Sequence, residues 1–180
     1  MDDIGLPCYV HLQRSDTVSE ALVSLKERLA DISSLREAAA LLGWDQQTQM
    51  PRGGAEARAR HLGTLVKLAH AMFVADETSA LLEQAASALN GAAYDSDDAS
   101  LIRVARRDYA LNRKLPSAFV AEMSQLTTLA HEIWAEARAR KDFAAFAPTL
   151  QQIVEMKRRE ADYLGYTHHP YDALLDTYEP

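Results

Sequence analysis

This sequence has little cysteine and no long apolar run. Cys8 is the one cysteine among 180 residues, so no disulfide can form within the chain, and nothing in its fold depends on an oxidising compartment. No apolar run approaches the roughly 20 residues that a membrane-spanning helix needs. The first residues, Met1 to Ile4, lack the basic and apolar regions of a signal peptide. We therefore expect a cytoplasmic protein that neither enters nor crosses a membrane.

Positive charge is also scarce. The chain has 19 Lys and Arg against 26 Asp and Glu, a formal net charge of -7. Nucleic-acid binding relies on clustered Lys and Arg, so nucleic acid is excluded as an expected partner. Apolar residues make up 48% and charged residues 25%, which is typical of a chain that folds around one core.

Strand signals are missing as well, because no segment shows the alternating Val, Ile and Thr pattern of a strand and there are only seven glycines. Apolar residues instead recur every three or four positions, as on one face of a helix. The clearest such seams run from Val18 to Leu42 and from Phe119 to Ala137. The pattern predicts an all-α, bundle-like array of about six helices, with an N-terminal arm over residues 1–15 and a single helical domain over residues 16–180.

Helix boundaries follow from capping and breaking residues. Thr17 and Glu20 fit a capping box at the start of the first helix, which we expect to end near Gly43. The later boundaries are a second helix from Ala55, a third capped by Asp76 and ending at Asn90-Gly91, a fourth opening on Asp95 to Asp98, a fifth with Pro116 in its first turn, and a sixth opened by Pro148 and ending at Gly165.

One string resembles a metal-binding motif and fails at one position. Zinc peptidases use His-Glu-x-x-His on a helix, in which two His one turn apart bind the metal and the Glu activates water. This chain has His131 and Glu132, but Ala135 stands where the second His is required. We therefore expect an ordinary helical His and Glu here and no metal site.

The remaining histidines offer no better spacing. His61 and His70 are nine residues apart, which places them on opposite sides of a helix. The adjacent His168 and His169 are expected to serve packing or a turn. Cys8 is expected to be an inert thiol, and the basic run Lys157-Arg158-Arg159 a solvated helix face. We predict no catalytic, cofactor-binding or metal-ligating residue in this chain.

Three longer strings are distinctive in combination. They are Leu41-Leu42-Gly43-Trp44-Asp45-Gln46-Gln47-Thr48-Gln49-Met50-Pro51 with Gly53-Gly54-Ala55 and Arg58; Trp134 with Ala137-Arg138 and the segment from Asp142 to Leu150; and Pro170-Tyr171-Asp172-Ala173-Leu174-Leu175-Asp176-Thr177-Tyr178-Glu179-Pro180. In order and spacing they resemble the N-terminal part of the carboxypeptidase Taq family of metallocarboxypeptidases. The resemblance covers nearly everything from about Leu25 onward.

The resemblance implies a mostly helical, cytosolic parent enzyme that removes C-terminal residues from peptides with zinc or another divalent metal, commonly as a homodimer. In such enzymes the metal polarises the scissile carbonyl and lowers the pKa of its bound water. The family's His-Glu-x-x-His motif and substrate-carboxylate residues lie downstream of the region matched here, so no catalytic residue is carried over. His169-Pro170-Tyr171 only superficially resembles a later His-Pro-Phe element of the family.

Two functional hypotheses remain open. In the first, the chain is the N-terminal helical region of such a carboxypeptidase, inactive alone, that forms walls or a cover of the peptide cleft. In the second, it is a stand-alone helical module for protein interaction or dimerisation. In either case we expect a homodimer, because helices that meet a catalytic half in the family leave apolar faces open here.

Structural roles are expected for the two tryptophans and their neighbours. We expect Trp44 to bury a large surface and anchor the connection to Gly54, and Asp45 to cap a helix or pair with an Arg. An architectural role for this connection is favoured over lining a peptide cleft. We also expect Trp134 to be largely buried.

Overall fold

The computed structural model describes the backbone of residues 9–178 except residue 52, and the side chains of residues 20–178 with the same exception. This part of the chain contains seven α-helices and no strand, which confirms the all-α prediction with one helix more than expected. The helices are α1 (Tyr9–Thr48), α2 (Ala55–Phe73), α3 (Asp76–Ala88), α4 (Asp97–Asn112), α5 (Ser117–Arg140), α6 (Phe143–Leu164) and α7 (Pro170–Leu175). No helix in these residues is long and apolar enough to cross a bilayer.

The main core lies among α1, α2, α3 and α4. Leu25, Ile32 and Ala39 of α1 are seven residues apart and all buried, so they lie on one stripe of the helix. The stripe predicted from Val18 to Leu42 is confirmed over its described side chains. The buried residues of this main core are Leu25, Ile32, Ala69, Phe73, Leu82, Ala85, Ile102, Ala105 and Tyr109.

Both predicted ends of the first helix are wrong. The helix already runs at Tyr9, so Thr17 lies within it and cannot cap it. Tyr9 lies inside the N-terminal arm predicted over residues 1–15. Residues 1–8 of that arm, including Cys8, lie outside the described residues. At the other end the helix continues past Gly43 to Thr48. Gly43 is tolerated because Arg58 of α2 binds the carbonyl of Leu42 and holds the last turns in place.

Other predicted boundaries agree more closely. The second helix begins at Ala55 as expected, and α4 begins with Asp97 and Asp98 after Ser96, whose hydroxyl accepts the Ala99 N–H. Asp76 opens α3 but does not cap it, because Ala75 occupies the cap position. Pro116 is the residue before α5 rather than part of its first turn.

The sixth helix begins earlier than predicted. Lys141 ends α5 in the left-handed conformation, with φ 55°, and the carboxylate of Asp142 accepts the Ala145 N–H at 3.2 Å. This cap starts α6 at Phe143 and leaves Pro148 inside the helix. The prediction that Pro148 opens α6 is therefore wrong. A proline in the second turn removes one intrahelical hydrogen bond, and the Asp142 cap offsets part of that loss.

The second half of the chain extends from the core as a series of neighbours. Helix α5 packs along α2, α6 packs on α5, and α7 packs on α6. Gly63 of α2 is buried at the α2–α5 crossing, where its missing side chain makes room for Gln125. The α5–α6 pair is thus connected to the core through α5, and Lys114, after α4, also donates to the Leu164 carbonyl at the end of α6 at 2.6 Å.

Candidate interaction surface

His131 and Glu132 lie next to each other on α5. The Nδ1 atom of His131 lies 3.9 Å from the Glu132 carboxylate and makes no hydrogen bond, and the ring lies against Trp134 with the two ring centres 5.9 Å apart. Across the described residues, no three side chains of His, Cys, Asp or Glu come together in a way that could hold a metal ion. The residues present therefore do not fit the metal that the family resemblance implies.

His70 is a structural residue of the core. It is buried, its Nε2–H donates to the carbonyl of Asn112 at 3.1 Å, and its Nδ1 accepts from the Ser117 hydroxyl at 2.9 Å. Burial lowers the pKa of His70 below its usual value, and nearby Arg36 acts in the same direction against the opposing effect of the Asn112 carbonyl. The neutral ring ties α2 to the end of α4 and the start of α5. His61 is exposed on the same helix, as its spacing predicted.

His169 has the turn role that the sequence indicated. Its Nδ1 accepts the N–H of Tyr171 at 3.1 Å, and its own N–H donates to the Asp172 carboxylate at 3.2 Å. These two bonds form a capping box at the start of α7. His168 is exposed in the preceding loop.

The connection after α1 is held by an ion pair. Arg58 of α2 binds the Asp45 carboxylate, which confirms the predicted Asp45–Arg pairing, and Gln46 donates to the carbonyl of Thr128 at 2.9 Å. Trp44, however, is 59% exposed, so the prediction that it anchors this connection by burial is wrong. Its ring lies on the outer side of α1, and polar bonds to α2 and α5 hold the segment instead.

Trp134 is also not a core residue. Its side chain is 40% exposed, and Ile133 beside it is exposed as well. The prediction of a largely buried Trp134 is wrong, because Ala130 and Ala137 face the covered side of α5 and the Trp134 ring does not. The apolar seam predicted from Phe119 to Ala137 is confirmed at Phe119, Ala130 and Ala137, which are all buried.

The end of the α5–α6 hairpin carries an incompletely covered apolar face. Between Ala130 and Met156 only Ala137 is buried. On α6, four apolar residues lie on one face at spacings of three and four. They are Phe143, Phe146, Leu150 and Val154. Together with Trp134, they form what we call the hairpin surface.

A shallow cavity of about 420 Å³ lies within the hairpin surface. It is lined by Trp134, Ala137, Arg138, Lys141, Asp142, Phe143 and Phe146. The Arg138 guanidinium lies 5.0 Å from the centre of the Trp134 ring, a cation–π distance. The lining is mainly aromatic with a few charges at its edge, as in sites that receive an apolar side chain from a partner. The sequence contains a signal for this apolar face, because the apolar residues from Phe143 to Val154 recur at helical spacings of three and four.

Comparison with known proteins identifies the family. The family model described as carboxypeptidase Taq (M32) metallopeptidase matches residues 24–180. The chain belongs to this family. It is 35% identical to Thermostable carboxypeptidase 1 of Pyrococcus furiosus over 166 residues and 36% identical to Carboxypeptidase 1 of Bacillus subtilis over 152 residues. The matches cover 92% and 84% of this chain.

Solved structures of M32 carboxypeptidases share the fold. The crystal structure of BsuCP covers 88% of the chain with a TM-score of 0.82 at 32% identity, and Trypanosoma cruzi metallocarboxypeptidase 1 covers 89% with a TM-score of 0.67 at 31% identity. The chain spans only 30 to 32% of the length of the P. furiosus and B. subtilis relatives. It corresponds to the N-terminal region of an M32 carboxypeptidase.

Proposed function

We propose that this chain is the N-terminal helical region of a metal-dependent carboxypeptidase, and that on its own it neither binds the metal nor hydrolyses peptides. The observation that carries the proposal is the match of residues 24–180 to the M32 family over only about a third of its relatives' length. The described residues supply no set of metal ligands. Its contribution is therefore a folded wall or cover for a peptide cleft whose catalytic residues lie elsewhere in the polypeptide.

The contacts of this region suit a rigid support. Arg28 shows this, because it bridges α1 to the start of α3 through the Thr78 hydroxyl at 2.6 Å, the Met72 carbonyl at 3.2 Å and the Glu77 carboxylate at 2.5 Å. Thr78 is fully buried and in turn donates to Met72 at 2.7 Å. Buried networks whose polar groups are all bonded hold neighbouring elements in one arrangement. Rigid elements position a cleft better than loops do.

A chimeric enzyme tests this proposal. Residues 24–180 would replace the matched segment of B. subtilis Carboxypeptidase 1, and release of C-terminal residues from a peptide would be followed with and without a chelator. We expect a folded chimera with chelator-sensitive activity, and no activity from the 180-residue chain alone. A folded chimera without activity would contradict the proposal.

The second hypothesis is a stand-alone interaction module, favoured specifically by the hairpin surface. In the same proposal we include a homodimer for the isolated chain and a cytoplasmic location. The apolar side chains from Trp134 to Val154 supply a face that a second copy could cover when the rest of an M32 polypeptide is missing. Light scattering tests the homodimer, and cell fractionation tests the cytoplasmic location.

A further inference from the structure

We propose that the hairpin surface is where this region docks onto the remaining two thirds of an M32 carboxypeptidase polypeptide, an inference that rests on the proposed function. The occupant is the downstream part of the same polypeptide, which covers Trp134, Phe143, Phe146, Leu150 and Val154. The cavity beside Trp134 receives one apolar side chain from that part.

The hairpin surface is a core-type face of which only one end is covered. The stripe formed by Phe143, Leu150 and Val154 continues along the same side of α6 to Ala161 and Leu164. Ala161 is fully buried and Leu164 nearly so, whereas no residue from Phe143 to Glu155 is buried. One continuous helix face is thus buried in its last two turns and only partly covered in its first three, where Phe143 is 68% and Leu150 36% exposed. A partly uncovered extension of a core stripe indicates a missing neighbour rather than a solvent-facing surface.

Some other exposed apolar residues are isolated on their helices. Val23, Leu68 and Val104 lie singly on α1, α2 and α4, whereas Leu41 and Trp44 form a smaller exposed pair on α1. Each of these helices already buries a different face in the main core. Scattered apolar residues of this kind are normal on a folded surface.

The size of the surface favours a tethered partner over a second copy. Since a fully buried aromatic side chain covers 150–250 Å², the exposed fractions of the five residues amount to on the order of 400 Å². A standard interface between separate proteins needs roughly 800 Å² on each side. A segment of the same polypeptide has a high effective concentration and needs less area. The chain spans only about a third of its relatives, so such a tethered segment exists in the family.

Two leucines provide a matched test. Leu150 on α6 is 36% exposed and belongs to the hairpin surface, whereas Leu68 on α2 is 50% exposed and does not. Leu150→Gln and Leu68→Gln would be made in the chimera with B. subtilis Carboxypeptidase 1 and in the 180-residue chain, with Phe143→Gln as a second hairpin variant. Melting temperature, molecular mass and peptidase activity would be measured for each.

In the chimera we expect Leu150→Gln and Phe143→Gln to lower Tm by at least about 3 °C, and Leu68→Gln to change it by less than about 1 °C. In the 180-residue chain Phe143→Gln and Leu68→Gln should leave Tm within about 1 °C, and Leu150→Gln should lower Tm by less than it does in the chimera, because Leu150 is only 36% exposed in the chain. A loss from Phe143→Gln in the chain alone as large as the loss in the chimera would show that Phe143 already packs within the chain and would overturn the proposal.

Two results in a folded chimera would also overturn the docking proposal. One is equal Tm values for Leu150→Gln and Leu68→Gln. The other is a dimeric chimera that dissociates on Leu150→Gln with no change in Tm, which would make a second copy the occupant. A folded but inactive chimera that still shows the Leu150 effect would contradict the proposed function while leaving the docking surface supported.

Discussion

The side chain of Gln125 on α5 occupies the space directly over Gly63 on α2. A Cβ atom at position 63 would lie 2.6 Å from Nε2 and 2.7 Å from Cγ of Gln125. Such distances are far inside van der Waals contact. The small residue at position 63 therefore allows α2 and α5 to pack with Gln125 between them.

We predict that Gly63→Ala and Gln125→Ala are energetically coupled. In a helix interior Ala is favoured over Gly by about 1 kcal/mol, but at position 63 overpacking against Gln125 costs about 1 to 3 kcal/mol. Gly63→Ala should thus be neutral or destabilising alone and stabilising when Gln125→Ala is present. Urea unfolding of the four proteins gives the coupling energy. Additive effects would show that Gln125 moves aside without cost.

The buried hydroxyl of Thr78 gives a second prediction. Thr78→Val keeps the shape but removes the bonds to Arg28 and to the Met72 carbonyl, at a cost of about 1 to 3 kcal/mol. Thr78→Ser is the matched control, because it keeps both bonds and loses only one methyl group, worth about 0.8 kcal/mol. Denaturant midpoints would compare the two. If the Val variant is as stable as the wild type, the Arg28–Thr78 network contributes nothing to stability.

The lowered pKa of His70 predicts a pH dependence of stability. Above the unfolded-state pKa of about 6.5, the ring is neutral in both states and its hydrogen bonds are intact. As pH falls from that value toward the lower pKa of the folded state, the unfolded chain takes up a proton that the folded chain does not, so the free energy of unfolding decreases. Below the folded-state pKa no further loss arises from this residue.

The measurement is the free energy of unfolding between pH 7.5 and pH 5, compared among the wild type, His70→Gln and His61→Gln. His70→Gln should lose stability less steeply than the wild type as pH falls, and the exposed control His61→Gln should follow the wild type. Parallel curves for all three proteins would mean that His70 binds protons equally in both states.

How far the sequence predicted this structure differs between local and long-range features. The start of α2 at Ala55 and the stripe through Leu25 and Ile32 were predictable, because caps and helical spacing act within a few residues. The positions of Trp44 and Trp134 were not, since burial depends on which helix lies opposite. Trp134 lies beside a seam of which Phe119, Ala130 and Ala137 are buried, and helical spacing alone does not show that its ring stays 40% exposed.

The beginning of α6 shows a competition between two local signals. Pro148 is a good residue for a first helical turn, but Asp142 caps the helix six residues before it. From the sequence, the hairpin surface was recognisable only as part of a string shared with the family and as apolar residues at helical spacing. That the first three turns of α6 are only partly covered follows from the packing of α6 on α5 and could not be predicted from the sequence.

We predict that the 180-residue chain, once washed with chelator, retains far less than one equivalent of zinc. Ala135 stands where the second His ligand would be needed, and the described residues bring no other ligand set together. Metal analysis of the purified chain, with His131→Ala as the matched variant, provides the check. One tightly bound zinc that is lost in His131→Ala would overturn this prediction.

We also predict that the isolated chain self-associates weakly as a homodimer. The hairpin surface is left uncovered in this chain, and each Å² of apolar surface removed from water contributes about 25 cal/mol. Light scattering at increasing micromolar concentrations should show a rising mass that Phe143→Gln reduces and Leu68→Gln does not. A monomeric mass at every concentration would contradict the prediction.

The central claim is that residues 24–180 form the N-terminal region of a working metallocarboxypeptidase. Its most direct test is the rate at which the chimera with B. subtilis Carboxypeptidase 1 releases the C-terminal residue of a peptide, measured beside the parent enzyme. We expect a chelator-sensitive rate within roughly tenfold of the parent, equivalent to a loss of at most about 1.4 kcal/mol of transition-state stabilisation. A folded chimera that binds the metal but releases no residue would contradict the claim.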